Sequence, residues 1–278
     1  MPFFFVYDKL IGMKYSVRTV YIPSDGRMMK LLILIPQGKP TAGVLWIHGG
    51  GFLTGMSEMV FMTRGRALCE KYGALVISPA YRLSLLHPYP SALNDCYAAL
   101  SYMYEHREEY GIPEDRIMVG GESAGGGLTV SVCLKARDLG TIPVSYQMPL
   151  YPMLDHRDTD SSRDNHAPVW NTRKNHQAWA LYLRDLHGSV PYYASPALCE
   201  DVRGLPPAYT FVGSIEPFLD ETCTYIQKLK DAGIPASMDI WPDKYHAFDL
   251  FEITGVDRKQ AVERCEEHFR RALEGNYE

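Results

Sequence analysis

The chain has 278 residues, with 28 Lys and Arg against 33 Asp and Glu, so its formal net charge is −5. This surplus of acid argues against a general nucleic-acid or anionic-membrane binder, because nothing would neutralise phosphates in bulk. The composition, 46 % hydrophobic and 22 % charged, is typical of a folded globular protein. Six scattered cysteines without a CxxC pair favour free thiols and predict a reducing cytoplasm.

Predicted elements alternate between short apolar runs and longer helical patterns. Residues 15–22 and 28–36 flank the turn signal Ser24-Asp25-Gly26 and predict an antiparallel hairpin at one edge of a sheet. Later apolar runs lack polar alternation, as strands buried on both faces do. They are residues 42–47, 74–78, 116–119 and 208–212. Helical spacing is found at residues 91–104, 124–137, 218–232 and 260–273. We therefore predict an α/β fold, a mostly parallel sheet with helices on both faces.

One long segment interrupts this alternation. After an apolar run at 144–150, about 55 residues precede the next predicted strand. This span is too long for a loop without structure or function of its own. Asn171 or Thr172 is a candidate cap for a helix that Gly188 would end. We interpret approximately residues 1–14 and 155–200 as cap elements on a single domain that spans residues 1–278.

The strongest motif is GESAG at 121–125, which fits the G-x-S-x-G pattern of a nucleophile elbow. A sharp strand-to-helix turn pushes the serine outwards, and its backbone lies so close to neighbouring segments that the flanking positions must lack side chains. The helix that follows directs its dipole and free N–H groups at the serine. Ser123 is therefore the candidate nucleophile, and the alternative is a glycine-rich turn without chemistry.

A second motif, HGGGF at 48–52, directly follows the predicted strand at 42–47. Glycines at a strand end let backbone N–H groups face a ligand, which an oxyanion hole needs because charge develops on the substrate oxygen. A flexible turn and a phosphate loop are the alternatives, although the GK[ST] of a phosphate loop is absent. The two motifs together, in this order, are more specific than either alone.

An acid and a base must follow the nucleophile along the chain. Among nine histidines, His246 lies just before the last predicted helix, where a loop can bring it onto Ser123. Glu216 follows a buried strand at its carboxyl end, where open α/β sheets keep their active sites. Its carboxylate would hold the imidazole in the right tautomer. Asp220 and Asp243 remain alternatives for the acid.

With these pieces in place, the chain resembles the hormone-sensitive-lipase-like esterases of the α/β-hydrolase superfamily. The matching text is HGGGF at 48–52, YRL at 81–83, HPYP at 87–90, GESAGG at 121–126, SP at 195–196, LPP at 205–207, GSIEPFLDE at 213–221 and YHAF at 245–248. The resemblance implies an eight-stranded sheet, a Ser-acid-His triad and hydrolysis of carboxylic esters. It assigns Ser123 as nucleophile and His246 as base, with the N–H groups of Gly50, Gly51 and Ala124 as the oxyanion hole.

Three features depart from the family pattern. The acid position usually holds Asp before Pro, whereas this chain has Glu216-Pro217, whose longer arm can reach the same imidazole. The usual His-Gly-Phe reads His246-Ala247-Phe248. Relatives commonly carry N-terminal cap helices, but only about 14 residues precede the first predicted strand here, so the expected cap is reduced.

The expected activity is hydrolysis of short-chain acyl or acetyl esters through an acyl-enzyme at a Ser-His-Glu triad, without a metal or organic cofactor. Candidates for the substrate pocket are aromatic residues of the cap and the N-terminus. They are Trp170, Trp179, Tyr182, Tyr192, Phe3, Phe4 and Phe5. An amide or peptide hydrolase, or a non-catalytic ligand-binding protein on a hydrolase scaffold, is the alternative function. The phenylalanine cluster at 3–5 is a candidate homodimer interface.

Overall fold

A nine-stranded sheet runs through the part of the chain that the computed structural model describes, namely residues 5–7, 14–252 and 255–277. Its strands are β1 (Phe5–Tyr7), β2 (Tyr15–Ser24), β3 (Arg27–Pro36), β4 (Gly43–Ile47), β5 (Leu75–Pro79), β6 (Ile117–Glu122), β7 (Tyr146–Leu150), β8 (Ala208–Gly213) and β9 (Ala236–Trp241). They lie in the order β1-β2-β3-β5-β4-β6-β7-β8-β9. The pairs β1–β2, β2–β3 and β3–β5 are antiparallel, and the other pairs are parallel. The eight strands expected from the sequence are therefore present, and β1 adds a short ninth at the edge.

The predicted hairpin is formed by β2 and β3, whose register pairs Ser24 with Arg27 across a two-residue turn. Asp25 and Gly26 in that turn have φ of 44° and 76°. Two central residues with positive φ match the right-handed twist of the flanking strands, and Asp and Gly tolerate this conformation better than most residues.

Helices cover both faces of the sheet. They are α1 (Arg64–Tyr72), α2 (Ser91–Glu105), α3 (Arg107–Tyr110), α4 (Ala124–Leu139), α5 (Asp160–Arg163), α6 (Thr172–Tyr182), α7 (Leu219–Asp231), α8 (Phe248–Phe251) and α9 (Val256–Leu273). Every residue of β4 is buried, and its side chains alternate between two cores: Leu45 and Ile47 join one, whereas Val44 and Trp46 join the other. This double burial explains why β4 lacks polar alternation. No helix of the described chain is long and apolar enough to cross a bilayer.

The long segment between β7 and β8 contains α5 and α6. Asn171 caps α6 by accepting a hydrogen bond from the Lys174 N–H, as one of the two predicted caps would. The prediction that this helix ends at Gly188 is wrong, because α6 ends at Tyr182. The Tyr182 carbonyl there accepts the N–H of Tyr89, which lies just before α2 (2.8 Å). A backbone partner from the body of the protein thus satisfies the carbonyl where the helix stops.

All six cysteines are unpaired, and five of them are buried. The expectation of free thiols therefore agrees with their places in the fold. Within the ranges described above, no group of three or more His, Cys, Asp or Glu side chains is arranged to hold a metal ion.

Candidate active site

Ser123 occupies a strained turn between β6 and α4, with φ of 58° and ψ of −120°. A positive φ is costly for a residue with a side chain, and such strain clusters at functional sites. A Cβ added at Gly121 would lie 2.4 Å from the carbonyl oxygen of Ile47, and one at Gly125 would lie 2.1 Å from it. The turn therefore needs glycine on both sides of Glu122–Ala124, as the G-x-S-x-G pattern predicts.

His246 and Glu216 complete a hydrogen-bonded relay with this serine. Nε2 of His246 lies 2.8 Å from Oγ of Ser123, and Nδ1 is hydrogen-bonded to the carboxylate of Glu216. A carboxylate can only accept, so Nδ1 carries the proton and Nε2 is free to accept from the serine hydroxyl. Glu216 also accepts the N–H of Gly213 (2.7 Å), which fixes its orientation. All three side chains are buried.

The two alternative acids lie elsewhere. Asp220 accepts a hydrogen bond from the N–H of Ser161 (2.7 Å). Asp243 stands in a turn with φ of 57°, where its own N–H donates to a neighbouring serine hydroxyl. Among the residues whose side chains are described, the carboxylate bonded to the His246 ring is that of Glu216.

The glycine run after β4 places its backbone beside Ser123. Gly50 and Gly51 have φ of 116° and 62°, and no backbone hydrogen bond in the described chain uses their N–H groups. A Cβ at Gly50 would approach the carbonyl oxygen of Thr54 to 2.2 Å. Ala124 is the first residue of α4, so its N–H is one of the four at a helix start that lack an intrahelical acceptor. These three donors are available to a developing oxyanion.

His48 and Tyr81 support this loop from behind. Burial lowers the pKa of His48 to about 4, so its ring is neutral. Nδ1 of the ring lies 2.8 Å from the carbonyl oxygen of Gly49, to which it donates. Tyr81 stacks on the ring with centroids 4.2 Å apart, and its hydroxyl donates to the His48 carbonyl (3.0 Å). The spacing of residues in the sequence does not predict that Tyr81 supports this loop.

The family follows from comparison with known proteins. Residues 44–250 match the family model of the alpha/beta hydrolase fold. The chain belongs to this family. It is 30 % identical over 237 residues to carboxylesterase NlhH of Mycobacterium tuberculosis, covering 83 % of this chain and 73 % of NlhH. It is 32 % identical over 203 residues to esterase LipI of the same species, covering 70 % of this chain but only 62 % of LipI.

Solved structures agree with these relatives. A structure titled bacterial heroin esterase superposes with a TM-score of 0.88 at 34 % identity, covering 94 % of this chain and 85 % of that chain. The α/β-hydrolase fold is thereby confirmed. So is the resemblance to the hormone-sensitive-lipase-like esterases, which places the chain among the carboxylic ester hydrolases of the family.

Beside Ser123 this hydrolase has a cavity of about 290 Å³. Its walls are mostly apolar. Apart from the glycine run, Ser123 and His246, they are formed by Thr54, Met59, Thr63, Glu122, Tyr151, Val169, Trp170, Ala247, Leu250 and Phe251. Trp170 was predicted from the sequence to line a substrate pocket, and its ring is close enough to Gly51 that a Cβ there would lie 2.3 Å from it. Tyr151, Leu250 and Phe251 were missed, because no motif marks them.

The other predicted pocket aromatics lie away from this cavity. Trp179 and Tyr182 are buried against Phe52, with the Tyr182 ring stacked on it at 4.0 Å. Phe52 belongs to the same hydrophobic core as these two rings. Their contacts therefore pack the long segment onto the body of the protein. Tyr192 donates its hydroxyl to Asp138 on α4 (2.8 Å). The side chains at positions 3–5 lie outside the described residues.

Proposed function

We propose that this protein is a serine hydrolase of carboxylic esters in which Ser123 is the nucleophile, His246 the general base and Glu216 the acid partner. The observation that carries the proposal is the continuous relay from the serine hydroxyl through the imidazole to a buried carboxylate. Membership of a family whose curated relatives include esterases supports the choice of esters over other acyl compounds.

In the first half of the reaction, Oγ of Ser123 attacks the ester carbonyl while Nε2 of His246 takes its proton. The carboxylate of Glu216 holds Nδ1–H and stabilises the imidazolium that forms. The substrate oxygen, now negative, accepts hydrogen bonds from the oxyanion-hole N–H groups of Gly50, Gly51 and Ala124. These donors are fixed before the reaction, so little reorganisation is needed as charge develops.

In the second half, the imidazolium of His246 gives its proton to the leaving alkoxide, and the alcohol departs from an acyl-enzyme. Water then attacks the acyl carbon with His246 again as base. The second tetrahedral intermediate collapses to release the acid and restore the Ser123 hydroxyl. Ser123, His246 and Glu216 therefore suffice for each proton transfer.

The first test is hydrolysis of p-nitrophenyl acetate and butyrate by the wild type and Ser123→Ala. We expect Ser123→Ala to lose about 10⁴-fold or more in kcat, because the attacking oxygen is gone. Ser101→Ala, a serine on α2, is the matched control and should keep wild-type rates. Wild-type hydrolysis no faster than that of Ser123→Ala would refute the proposed function.

The size and apolar walls of the cavity support short-chain acyl or acetyl esters as substrates. A series of p-nitrophenyl esters from acetate to laurate tests this preference. We expect kcat/KM to be highest at the short end and to fall as the acyl chain outgrows the cavity. A maximum at laurate would contradict the proposed substrate class.

The alternative functions predict different outcomes in the same assays. An amide or peptide hydrolase would cleave a matched acetanilide about as fast as the ester, whereas we expect the ester to be strongly preferred. A non-catalytic binding protein would retain a small ligand in equilibrium dialysis but hydrolyse neither substrate.

We also propose that residues 155–200 act as a reduced cap on a single domain, since Trp170 from this segment forms part of the cavity wall. Trp170→Ala should raise KM more than it lowers kcat if the segment shapes the pocket. A homodimer and a cytoplasmic location stay predictions, which sedimentation velocity and cell fractionation test. The sequence positions expected to form the dimer contact, 3–5, have no described side chains.

A further inference from the structure

Three charged side chains that the proposed mechanism does not use are buried close to Ser123 and His246, and one of them, Glu122, also lines the cavity. Glu122 is the last residue of β6, Asp249 lies on α8, and Arg64 begins α1; none is more than 6 % exposed. We call these three residues the buried charge cluster. Burying ionised groups is unfavourable unless they are well paired, so a cluster next to an active site needs a physical account.

Pairing within the buried charge cluster is incomplete. Both carboxylate oxygens of Glu122 accept from the indole N–H of Trp46, at 3.0 and 3.1 Å. Nη2 of Arg64 lies 3.8 Å from Oδ2 of Asp249, an ion pair beyond hydrogen-bonding distance. Nε of Arg64 and both oxygens of Asp249 have no well-aligned hydrogen-bond partner among the described residues, although the Tyr151 hydroxyl lies near enough to lower the pKa of Asp249. Only one guanidinium therefore faces two carboxyl groups.

With two carboxyl groups and one guanidinium, the cluster favours keeping one carboxyl group protonated. If both carboxyl groups were ionised, the cluster would carry a net negative charge away from water. Burial, and after it the charge of Asp249, raise the pKa of Glu122 to about 7, and burial also raises the pKa of Asp249. The other titratable groups that face them are Tyr151 and Cys265, whose pKa values burial raises, so both stay neutral near pH 7. Of the two carboxyl groups, Glu122 also lines the cavity beside Ser123, where a proton can enter or leave.

The buried charge cluster reaches the proposed catalytic residues by two routes. Glu122 directly precedes Ser123, whose hydroxyl oxygen is 2.8 Å from Nε2 of His246. Tyr151, whose hydroxyl interacts with the Asp249 carboxylate, packs its ring edge against the His246 ring, with centroids 5.1 Å apart and planes at 81°. The charge of His246 also lowers the pKa of Asp249. By reciprocity, negative charge in the cluster favours the protonated imidazole.

We propose that Glu122 is a positioning residue whose ionisation couples a buried proton to the protonation of His246, and thereby sets the pH range of hydrolysis. This inference rests on the proposed function. When Glu122 loses its proton, the cluster becomes more negative, and Asp249, which interacts with the charge of His246, carries this effect to the imidazole. The two groups then titrate as a coupled pair and not independently.

The test compares the pH profile of kcat/KM for the wild type and Glu122→Gln. Gln keeps the shape and an acceptor for the Trp46 N–H but cannot ionise. We expect the acid limb of the profile to move to lower pH by about half a unit, because the imidazolium loses a neighbouring anion. Glu105→Gln, which removes an exposed carboxylate on α2, is the matched control and should leave the limb in place. A loss by the same factor at every pH, or an unmoved limb, would overturn the inference.

A second measurement needs no turnover and separates this inference from the proposed function. NMR of protein with ¹⁵N-labelled histidine reports the protonation of His246 directly. We expect its titration midpoint to be lower in Glu122→Gln than in the wild type, whether or not esters are cleaved. The wild-type curve alone should show a second step where Glu122 loses its proton, so the test survives a variant that does not fold. A single-step wild-type curve would refute the coupling.

Discussion

Two groups of buried ionisable side chains lie next to each other in this hydrolase, and they differ in how their charges are satisfied. In the relay, the carboxylate of Glu216 accepts both the ring N–H of His246 and the backbone N–H of Gly213. In the buried charge cluster, Asp249 has no well-aligned hydrogen-bond partner among the described residues, and Arg64, with which it forms an ion pair, is 3.8 Å away.

Burial alone therefore does not give a carboxylate its role. A buried carboxylate with two N–H donors is stabilised in its ionised form and can support an imidazolium. A buried carboxyl group that faces few donors is driven towards its protonated form, and Glu122 faces a single indole N–H, that of Trp46. The same residue type therefore serves at Glu216 as a fixed hydrogen-bond acceptor for His246 and, as we infer, at Glu122 as a proton-exchanging group. Four substitutions test this difference between the two groups.

The largest effect is expected at Glu216. Glu216→Gln places an amide against Nδ1 of His246, and an amide N–H there would favour the wrong ring tautomer. We expect kcat for p-nitrophenyl acetate to fall about 10³–10⁴-fold with folding intact. Asp220→Asn, a change of the same kind four residues on, should leave kcat near that of the wild type. Equal losses in the two variants would show that Glu216 is not the acid.

Arg64→Met tests the cation of the buried charge cluster. Without the guanidinium, the carboxyl group of Asp249 is buried with no counter-charge. We expect the free energy of unfolding to fall by about 3–5 kcal/mol at pH 8, measured by urea denaturation. In the double variant with Asp249→Asn much of that loss should be regained, because the unpaired charge is gone. Additive losses in the double variant would contradict a charge-based explanation.

Glu122→Gln is expected to change how stability depends on pH. The pKa of Glu122 rises on folding from about 4.5 to about 7, so folding favours the protonated carboxyl. Its stabilising contribution is present at low pH and is lost as pH rises through about 7. The wild type should thus lose about 3 kcal/mol relative to Glu122→Gln between pH 4 and pH 8.

Urea denaturation of both proteins at these two pH values measures that difference. A wild-type stability that follows the variant in parallel across the range would mean that Glu122 does not change its proton on folding. Glu105→Gln again serves as the control, since an exposed carboxylate should not produce the effect.

The smallest effect is expected at Tyr81, which supports the glycine run without touching either carboxylate. Tyr81→Phe keeps the ring stacked on His48 but removes the hydroxyl that donates to the His48 carbonyl. We expect a loss of about 1 kcal/mol in transition-state stabilisation, seen as a several-fold fall in kcat/KM. Tyr97→Phe removes a surface hydroxyl bonded to Thr141 and should have no such effect.

Much of the fold could be predicted because its signals are local. The hairpin has a turn that requires positive φ, and the central strands are buried on both faces, so each carries its own signature in a few residues. Helix α1 was missed because its nine residues, RGRALCEKY, combine only a short apolar stretch with four charged side chains. The end of α6 was misplaced because the helix does not stop at a glycine. At its last residue, Tyr182, the carbonyl accepts the backbone N–H of Tyr89 from a distant part of the chain.

The candidate site divides in the same way. G-x-S-x-G, the glycine run and the order of Ser123, Glu216 and His246 were sufficient to expect these groups to meet, and they do lie within hydrogen-bonding distance. Trp170 was rightly expected at the cavity, but Trp179 and Tyr182 were not distinguishable from it by residue type. Their rings face Phe52 instead, and that choice depends on packing between segments far apart in the chain.

The central strands and helices, the elbow at Ser123 and the family could all be inferred from the sequence, because each depends on short-range steric rules or on a motif. The tertiary structure alone decided which carboxylates have donors, which aromatics line the cavity, and that Glu122, Asp249 and Arg64 are buried together. These three residues come from β6, α8 and α1. Their charges interact strongly only because folding removes water from between elements that are distant in sequence.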